Sequence, residues 1–402
     1  MDFEDLPDLS NLAKLKPFER FVFNRHTGKL QIDGGAVIFA MLLDRALGDF
    51  VMRNLVAASI AASLEGGRLQ VYYRDDRPYK SSIIALNPHV DKVWTAPGPA
   101  GMPMDVFDVA ADAPVKVDNP KWYTDFAASP DLVLTPTMLD QRILRSLPVV
   151  ARYQIPDNEV SVLNDGLLER GLDPDRWFCV VHYREPNFIA RGANAFRDVD
   201  PVVAQEITRY IIEDLGGQVV RIGHPGMEKF PAMPGFIDLS GVENGLLLHC
   251  LAISRARFFF EVSSSGPSML AIAFGVPLVR CNSVDLEAPL CENSIELPMH
   301  VISPDGRRVP QELALRKRLI STVSILNVLG RDGFRFQQNG IGELRAAARD
   351  IVNRTADCLG WRDVDNSSDR FDRSSLDWPP QRNMEKAIVE YPDEFSASMR
   401  VK

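Results

Sequence analysis

A chain of 402 residues has room for two α/β domains at roughly 100–200 residues each, and 46% hydrophobic with 25% charged residues is an ordinary globular composition. A net charge of −9 excludes a general nucleic-acid binder, which needs a cationic excess to neutralise phosphates. No run of ~18 apolar residues exists to span a bilayer, and the acidic N-terminus lacks the basic start of a secretory signal, so a cytoplasmic protein is expected, at most peripheral to the inner membrane.

In chain order, residues 1–32 read as a polar leader and residues 33–160 as a first domain. Segment 36–43 is a near-continuous apolar run, as in a strand buried on both faces. Segment 44–49 is a short loop, and Val51, Leu55, Ala58 and Ala62 then recur at helical spacing until Gly66 and Gly67 stop the helix. Segment 69–73 follows as a strand, which makes a βαβ unit and predicts a parallel sheet. Short strands are expected at 92–95, 105–110 and 131–135, with a Pro- and Gly-rich link at 97–103 and a bridging helix near 158–170.

The second domain, 170–355, alternates more clearly. Strands are expected at 177–183, 218–222, 236–239, 257–262 and 276–280. Between them lie helices that begin at the Asp200-Pro201 cap, near 244 and at Pro267. This is the pattern of a doubly wound fold. Residues 310–356 read as mostly helical, and 356–402 as a polar tail. The five cysteines, Cys179, Cys250, Cys281, Cys291 and Cys358, have no CxxC or metal-ligand spacing and are expected to be reduced thiols.

Open α/β sheets bind ligands beyond the carboxyl ends of their strands, so the chemistry is sought in the loops that follow strands. Glu261-Val-Ser263-Ser264-Ser265-Gly266-Pro-Ser268 is a strand, a Ser/Gly turn and a helix start, suited to a phosphate or equally an ordinary capped turn. His182-Tyr-Arg184-Glu185 ends another strand; Arg184 either forks onto phosphate oxygens or pairs with Glu185. Arg221-Ile-Gly223-His224-Pro-Gly226 ends a third, where His224 lines a nucleotide pocket or braces its own loop. In the first domain, Asp49 follows the first strand, either to take a proton from an acceptor hydroxyl or to cap the helix. Asp198-Val-Asp200 and Asp363-Val-Asp365 carry DxD letters but sit at no strand end, so no metal site is expected. His249, in an apolar helix, reads as a packing histidine.

With these residues placed, a resemblance emerges. Leu47-Gly-Asp-Phe50 followed by Leu86-Asn-Pro-His-Val-Asp-Lys-Val93 resembles the N-terminal domain of bacterial heptosyltransferases. Val181-His-Tyr-Arg-Glu185, Val220-Arg-Ile-Gly-His-Pro-Gly-Met227, Ser263-Ser-Ser-Gly266 and Phe274-Gly-Val-Pro277 with Asn282 are similar to a group of bacterial glycosyltransferases. His182-x-Arg184 also resembles the HxR loop of fucosyltransferases. The resemblance covers about residues 35–95 and 176–285. It implies a GT-B enzyme: two Rossmann-like domains facing a cleft, metal-independent, without cofactor, with a nucleotide-sugar donor in the C-terminal domain. Asp49 would be the base and Arg184 the diphosphate ligand, with Ser264, Ser265 and Gly266 as the phosphate loop and Asn282 in the donor site. The donor lysine of heptosyltransferases has no counterpart, which argues against ADP-heptose.

The expected activity is therefore inverting transfer of a sugar from a nucleoside diphosphate to an acceptor hydroxyl. The acceptor would be a glycan, a lipid-linked glycan or a small molecule, as in bacterial polysaccharide biosynthesis. The alternatives are a nucleotide-sugar epimerase or hydrolase on the same fold, and a non-catalytic nucleotide-sugar-binding protein.

Overall fold

The computed structural model describes residues 37–64, 66–97, 132–134, 136, 139–186, 195–243, 245–362 and 371–373. The expected leader, the link at 97–103 beyond Pro97, the strand at 105–110, Asp363-Val-Asp365 and most of the tail lie outside them. The chain divides into two compact units at Pro156/Asp157.

The first unit is built on a four-stranded sheet in the order β3-β2-β1-β4. Its strands are β1 (Val37–Leu42), β2 (Arg68–Asp75), β3 (Val90–Pro97) and β4 (Leu132–Leu134), all parallel. Helix α1 (Leu47–Ala62) lays Phe50, Val51, Leu55 and Ala58 into the core. The short α2 (Tyr79–Ala85) was not expected from the sequence, since seven residues after a proline carry no period. The core is tied by one buried polar network. Asn87 donates to Asn54 (2.9 Å), Asn54 to the Tyr153 hydroxyl (2.7 Å), and that hydroxyl to the Val51 carbonyl (3.1 Å). Every member finds a partner, as a buried polar group must.

The second unit holds a six-stranded parallel sheet in the order β11-β9-β8-β5-β6-β7. Its strands are β5 (Phe178–His182), β6 (Gln218–Arg221), β7 (Phe236–Asp238), β8 (Phe258–Glu261), β9 (Leu278–Ser283) and, after a short β10 (Leu290–Cys291), β11 (Ile295–Pro298). The connecting helices are α4 (Pro201–Glu213), α5 (Leu246–Arg255) and α6 (Ser268–Ala273), with α3 (Asp157–Leu168) opening the unit. The Asp200 carboxylate accepts the Val202 N–H at 2.9 Å, so the expected cap is formed. Central strands read as unbroken apolar runs because both faces are covered, and Cys179, Val181, Phe258, Phe260 and Val279 share one core. Gly217 is required where it stands: a Cβ there would lie 2.2 Å from the Trp177 ring.

A smaller core beneath α7 (Gln311–Arg316) and α8 (Val323–Arg331) gathers Val284, Met299, Leu319, Leu326 and Phe334. Strands β12 (His300–Ile302) and β13 (Arg335–Gln337) pair antiparallel there, before the long helix α9 (Ile341–Arg354). Residues 371–373 include β14 (Phe371–Asp372), which pairs with β10. All five cysteines are free thiols. No described helix is long and apolar enough to cross a membrane.

Candidate functional site

Strand order locates the site before any side chain is considered. In the second unit, β6 and β7 succeed β5 on one side, and β8, β9 and β11 then continue on the other. The connections therefore diverge between β5 and β8, and a crevice opens at their carboxyl ends. In the first unit the divergence falls between β1 and β4, beyond the end of β1. His182 and Glu261 are register partners at the β5/β8 divergence, and Asp44 and Asp49 follow β1.

The loop after β5 is fixed from several directions. The Arg184 N–H donates to Ser263 Oγ (2.9 Å), and the Arg184 carbonyl accepts the Val199 N–H (2.9 Å). Arg184 is only 9% exposed, and its Nε donates to Asp198 at 2.7 Å. The expected alternative pairing with Glu185 is not formed; Glu185 instead accepts the Tyr183 hydroxyl (2.7 Å) and the Glu228 N–H (2.8 Å). The two Nη groups of Arg184 have no partner among the described residues.

Arg197, which the sequence reading missed, stands beside it. It is half-buried, and its Nε makes no hydrogen bond. Burial lowers its pKa first, and the Arg184 charge lowers it further. The turn that carries Arg197 and Asp198 is clamped by the Gln338 amide, which donates to the Asp198 carbonyl at 2.6 Å. Asp198, next to Arg197 in the chain, is ion-paired to Arg184. Asp198 and Asp200 are spent on this pair and on the α4 cap. Among the described residues no group of three or more His, Cys, Asp or Glu side chains is placed to hold a metal ion.

The Ser/Gly turn after β8 supplies the facing wall. Ser264, Ser265 and Gly266 are half-exposed, whereas Ser263 is fully buried and serves the Arg184 backbone. Glu261 is buried beneath the turn and accepts both the N–H and the hydroxyl of Ser265, at 2.5 and 2.8 Å. Its other oxygen lies 3.4 Å from Arg280, which also pairs with Glu296 at 3.1 Å. Burial pushes the Glu261 pKa up to about 7, against the lowering effects of Arg280 and Ser265. His182 is 9% exposed, and burial, then His249, His224 and Arg221, push its pKa down to about 3.

Two expected donor residues are placed otherwise. Arg221 is fully buried, and its five N–H groups are all taken: by Asp238 (3.1 and 2.6 Å), Ser240 (3.0 Å), the Tyr183 hydroxyl (3.3 Å) and the Glu228 carbonyl (2.6 Å). It also stacks 4.1 Å from the Phe230 centroid, so it is a strut rather than a free cation. Asn282 is 1% exposed and exchanges two bonds with Asn339 (2.7 and 2.6 Å) while donating to the Val262 carbonyl (2.8 Å). Its φ of 50° is one that asparagine tolerates, and it clasps two chain segments together. Gly223 makes room for Met227, whose Sδ would lie 2.0 Å from a Cβ. His224 is half-exposed, and its Nδ1 accepts the Gly226 N–H at 3.1 Å, so it braces its loop. His249 is a packing histidine bonded to the Leu239 carbonyl at 3.0 Å.

In the first unit, the expected loop 44–49 is shorter: α1 already begins at Leu47. Asp49 therefore sits exposed within the first helical turn, and Ala46 occupies the cap position without a side-chain bond. Asp49 makes no ion pair among the described residues. Its neighbour Asp44 pairs with Arg53 at 2.9 Å. Burial raises the pKa of Asp44, and the Asp49 charge adds to that against the pull of Arg53.

No family model and no curated protein matches the chain. Similar solved structures include a glycosyl transferase of family 9 from Veillonella parvula, at 12% identity over 79% of this chain and 97% of its own, with a TM-score of 0.47. The E. coli ADP-heptose lps heptosyltransferase II is 17% identical over 74% of this chain and 99% of its own, with a TM-score of 0.40. The calicheamicin glycosyltransferase CalG4 is 13% identical over 92% of this chain and 99% of its own, with a TM-score of 0.30.

Proposed function

We propose that this protein is a glycosyltransferase that takes a sugar from a nucleoside diphosphate and passes it to an acceptor hydroxyl. The observation that carries the reading is Arg184 at the β5/β8 divergence, with Nη groups that have no partner among the described residues and a backbone N–H bonded to Ser263, at the start of a half-exposed Ser/Gly turn. Two fixed guanidinium groups suit a leaving diphosphate, because their charge is already in place when negative charge develops. Ser264 and Ser265 add hydroxyls, and Gly266 lets the backbone approach the phosphates.

Asp49 supplies the base. Its carboxylate is exposed and makes no ion pair among the described residues, and transfer with inversion follows if it takes the acceptor proton as the hydroxyl attacks the anomeric carbon. The glycosidic bond forms as the bond to the diphosphate breaks, and the diphosphate leaves with the electron pair, stabilised by the arginines. No metal ion is assigned a part.

A thermal-shift screen with UDP, GDP, ADP, CMP and dTDP, with and without magnesium, tests the donor half. A ligand that binds the native state raises the melting temperature. A magnesium-independent rise with one diphosphate is expected, and no rise with any of them would overturn the reading. Asp49→Asn tests the acceptor half: transfer should fall about 10²–10⁴-fold, the usual range for a lost general base, with the donor-induced shift retained. Undiminished transfer would remove Asp49 from the role.

A further inference from the structure

His182, Ser265 and Glu261 form a chain whose hydrogen positions can be deduced. The Ser265 N–H donates to Glu261 Oε1 at 2.5 Å, and Ser265 Oγ lies 2.8 Å from that oxygen and 2.8 Å from His182 Nδ1. A backbone N–H can only donate, so Oε1 accepts it, and with Glu261 ionised, above about pH 7, the carboxylate has no proton of its own to give. Two oxygens at 2.8 Å need a proton between them, and here only the Ser265 hydroxyl can supply it. A serine hydroxyl has one hydrogen. With that hydrogen spent on Glu261, the bond to His182 must run the other way, from Nδ1–H to Oγ. The ring carries no second proton, because burial, with the charge of Arg221 adding to it, holds it neutral. A neutral imidazole protonated at Nδ1 has a bare lone pair at Nε2, and Nε2 has no partner among the described residues.

We infer that His182 is a hydrogen-bond acceptor that reads a hydroxyl of the bound ligand, rather than a donor that holds its phosphate. A phosphate oxygen brings only lone pairs and would be repelled by Nε2, whereas a ribose or sugar O–H satisfies it. The diphosphate part of this division of labour rests on the proposed donor site; the tautomer does not. Arg184 and Arg197 take the charge, and His182 selects for the hydroxyl-bearing part of the ligand. Glu261 and Ser265 act as positioning residues that fix the ring. A ligand lacking the hydroxyl would cover that acceptor without matching it, which is where discrimination comes from.

Nitrogen NMR of the full-length protein with isotope-labelled histidine decides the tautomer, with His182→Gln assigning the resonance among the six histidines. A protonated Nδ1 and a pyridine-like Nε2 are expected. Glu261→Gln should keep this pattern, because an amide oxygen still accepts both Ser265 donors, and Ser265→Ala should lose it. A protonated Nε2 in the wild type would overturn the inference.

Inorganic pyrophosphate, which has charge but no sugar hydroxyl, tests the selectivity. His182→Ala should leave its binding within about twofold, since no hydrogen bond to it is removed. A loss of about tenfold or more, the size of one missing charge-assisted bond, would overturn the inference. If pyrophosphate fails to bind the wild type, the diphosphate reading falls and the selectivity falls with it, while the NMR spectrum still settles the tautomer.

Discussion

Arg184 and Arg221 stand at or just past the ends of adjacent parallel strands and are used in opposite ways. Arg221 has every donor satisfied inside the protein, whereas Arg184 gives one N–H to Asp198 and keeps both Nη groups free among the described residues. Strand order explains the difference. β7 follows β6 directly, so Arg221 and Asp238 become register partners and pair within the sheet edge. Beyond β5 the chain runs one way and β8 enters on the other side, so Arg184 lies two residues past the end of the strand where the connections diverge. An arginine at a strand end is thus a strut where the winding continues and a candidate ligand residue where it diverges.

The contrast can be broken by experiment, and the largest effect falls on the strut. Arg221→Ala removes five hydrogen bonds and a fully buried side chain and leaves a cavity, so unfolding free energy should drop by ~3 kcal/mol or more. A denaturant titration that shows a loss no larger than that of Arg184→Ala would erase the distinction.

The two strand ends should also respond oppositely to pH. Burial alone would raise the pKa of Asp238, but the Arg221 and Ser240 hydrogen bonds outweigh it and hold the group below its usual value. That contribution is present above the unfolded pKa and is lost as pH falls through the folded one. Glu261 is the reverse case, raised from 4.5 to about 7. Its contribution is full below the unfolded value and is lost as pH rises through about 7. Relative to Glu261→Gln, the wild type should therefore lose on the order of 2–3 kcal/mol between mildly acidic and alkaline pH. Melting curves of the two proteins that run parallel across that window would contradict the assignment.

A smaller effect is expected at Ser263. Removing its hydroxyl leaves the buried Arg184 N–H unmet, for a cost of ~1–2 kcal/mol. Because that bond also fixes the loop, nucleotide affinity should fall with it; unchanged affinity would mean that Ser263 serves the fold alone.

Much of this fold was legible in the sequence because its signals are local. The apolar runs that became β1, β5 and β8 needed no tertiary information, nor did the Asp200-Pro201 cap or the Ser/Gly turn after Glu261. What escaped depends on residues far apart in the chain. The resemblance alone placed Asn282 in the donor site, but its partner is Asn339, 57 residues on. Arg197 lies in a polar stretch without period and gains meaning only when Gln338 pins its turn beside Arg184. Arg221, expected in the donor site from its place at a strand end, is instead paired with Asp238 on the parallel neighbour, which no local signal shows. Asp49 was placed in a loop because Gly48 suggested one, yet the helix had already begun at Leu47.

The central claim is that the divergence between β5 and β8 holds a diphosphate through Arg184 and Arg197. Calorimetric titration of UDP, GDP and ADP into the wild type, Arg184→Ala and Arg197→Ala tests it most directly. Each variant should bind about 10–100-fold more weakly, the worth of one charge-assisted bond to phosphate, while keeping its cooperative melting transition. Binding at wild-type affinity in both variants would contradict the claim.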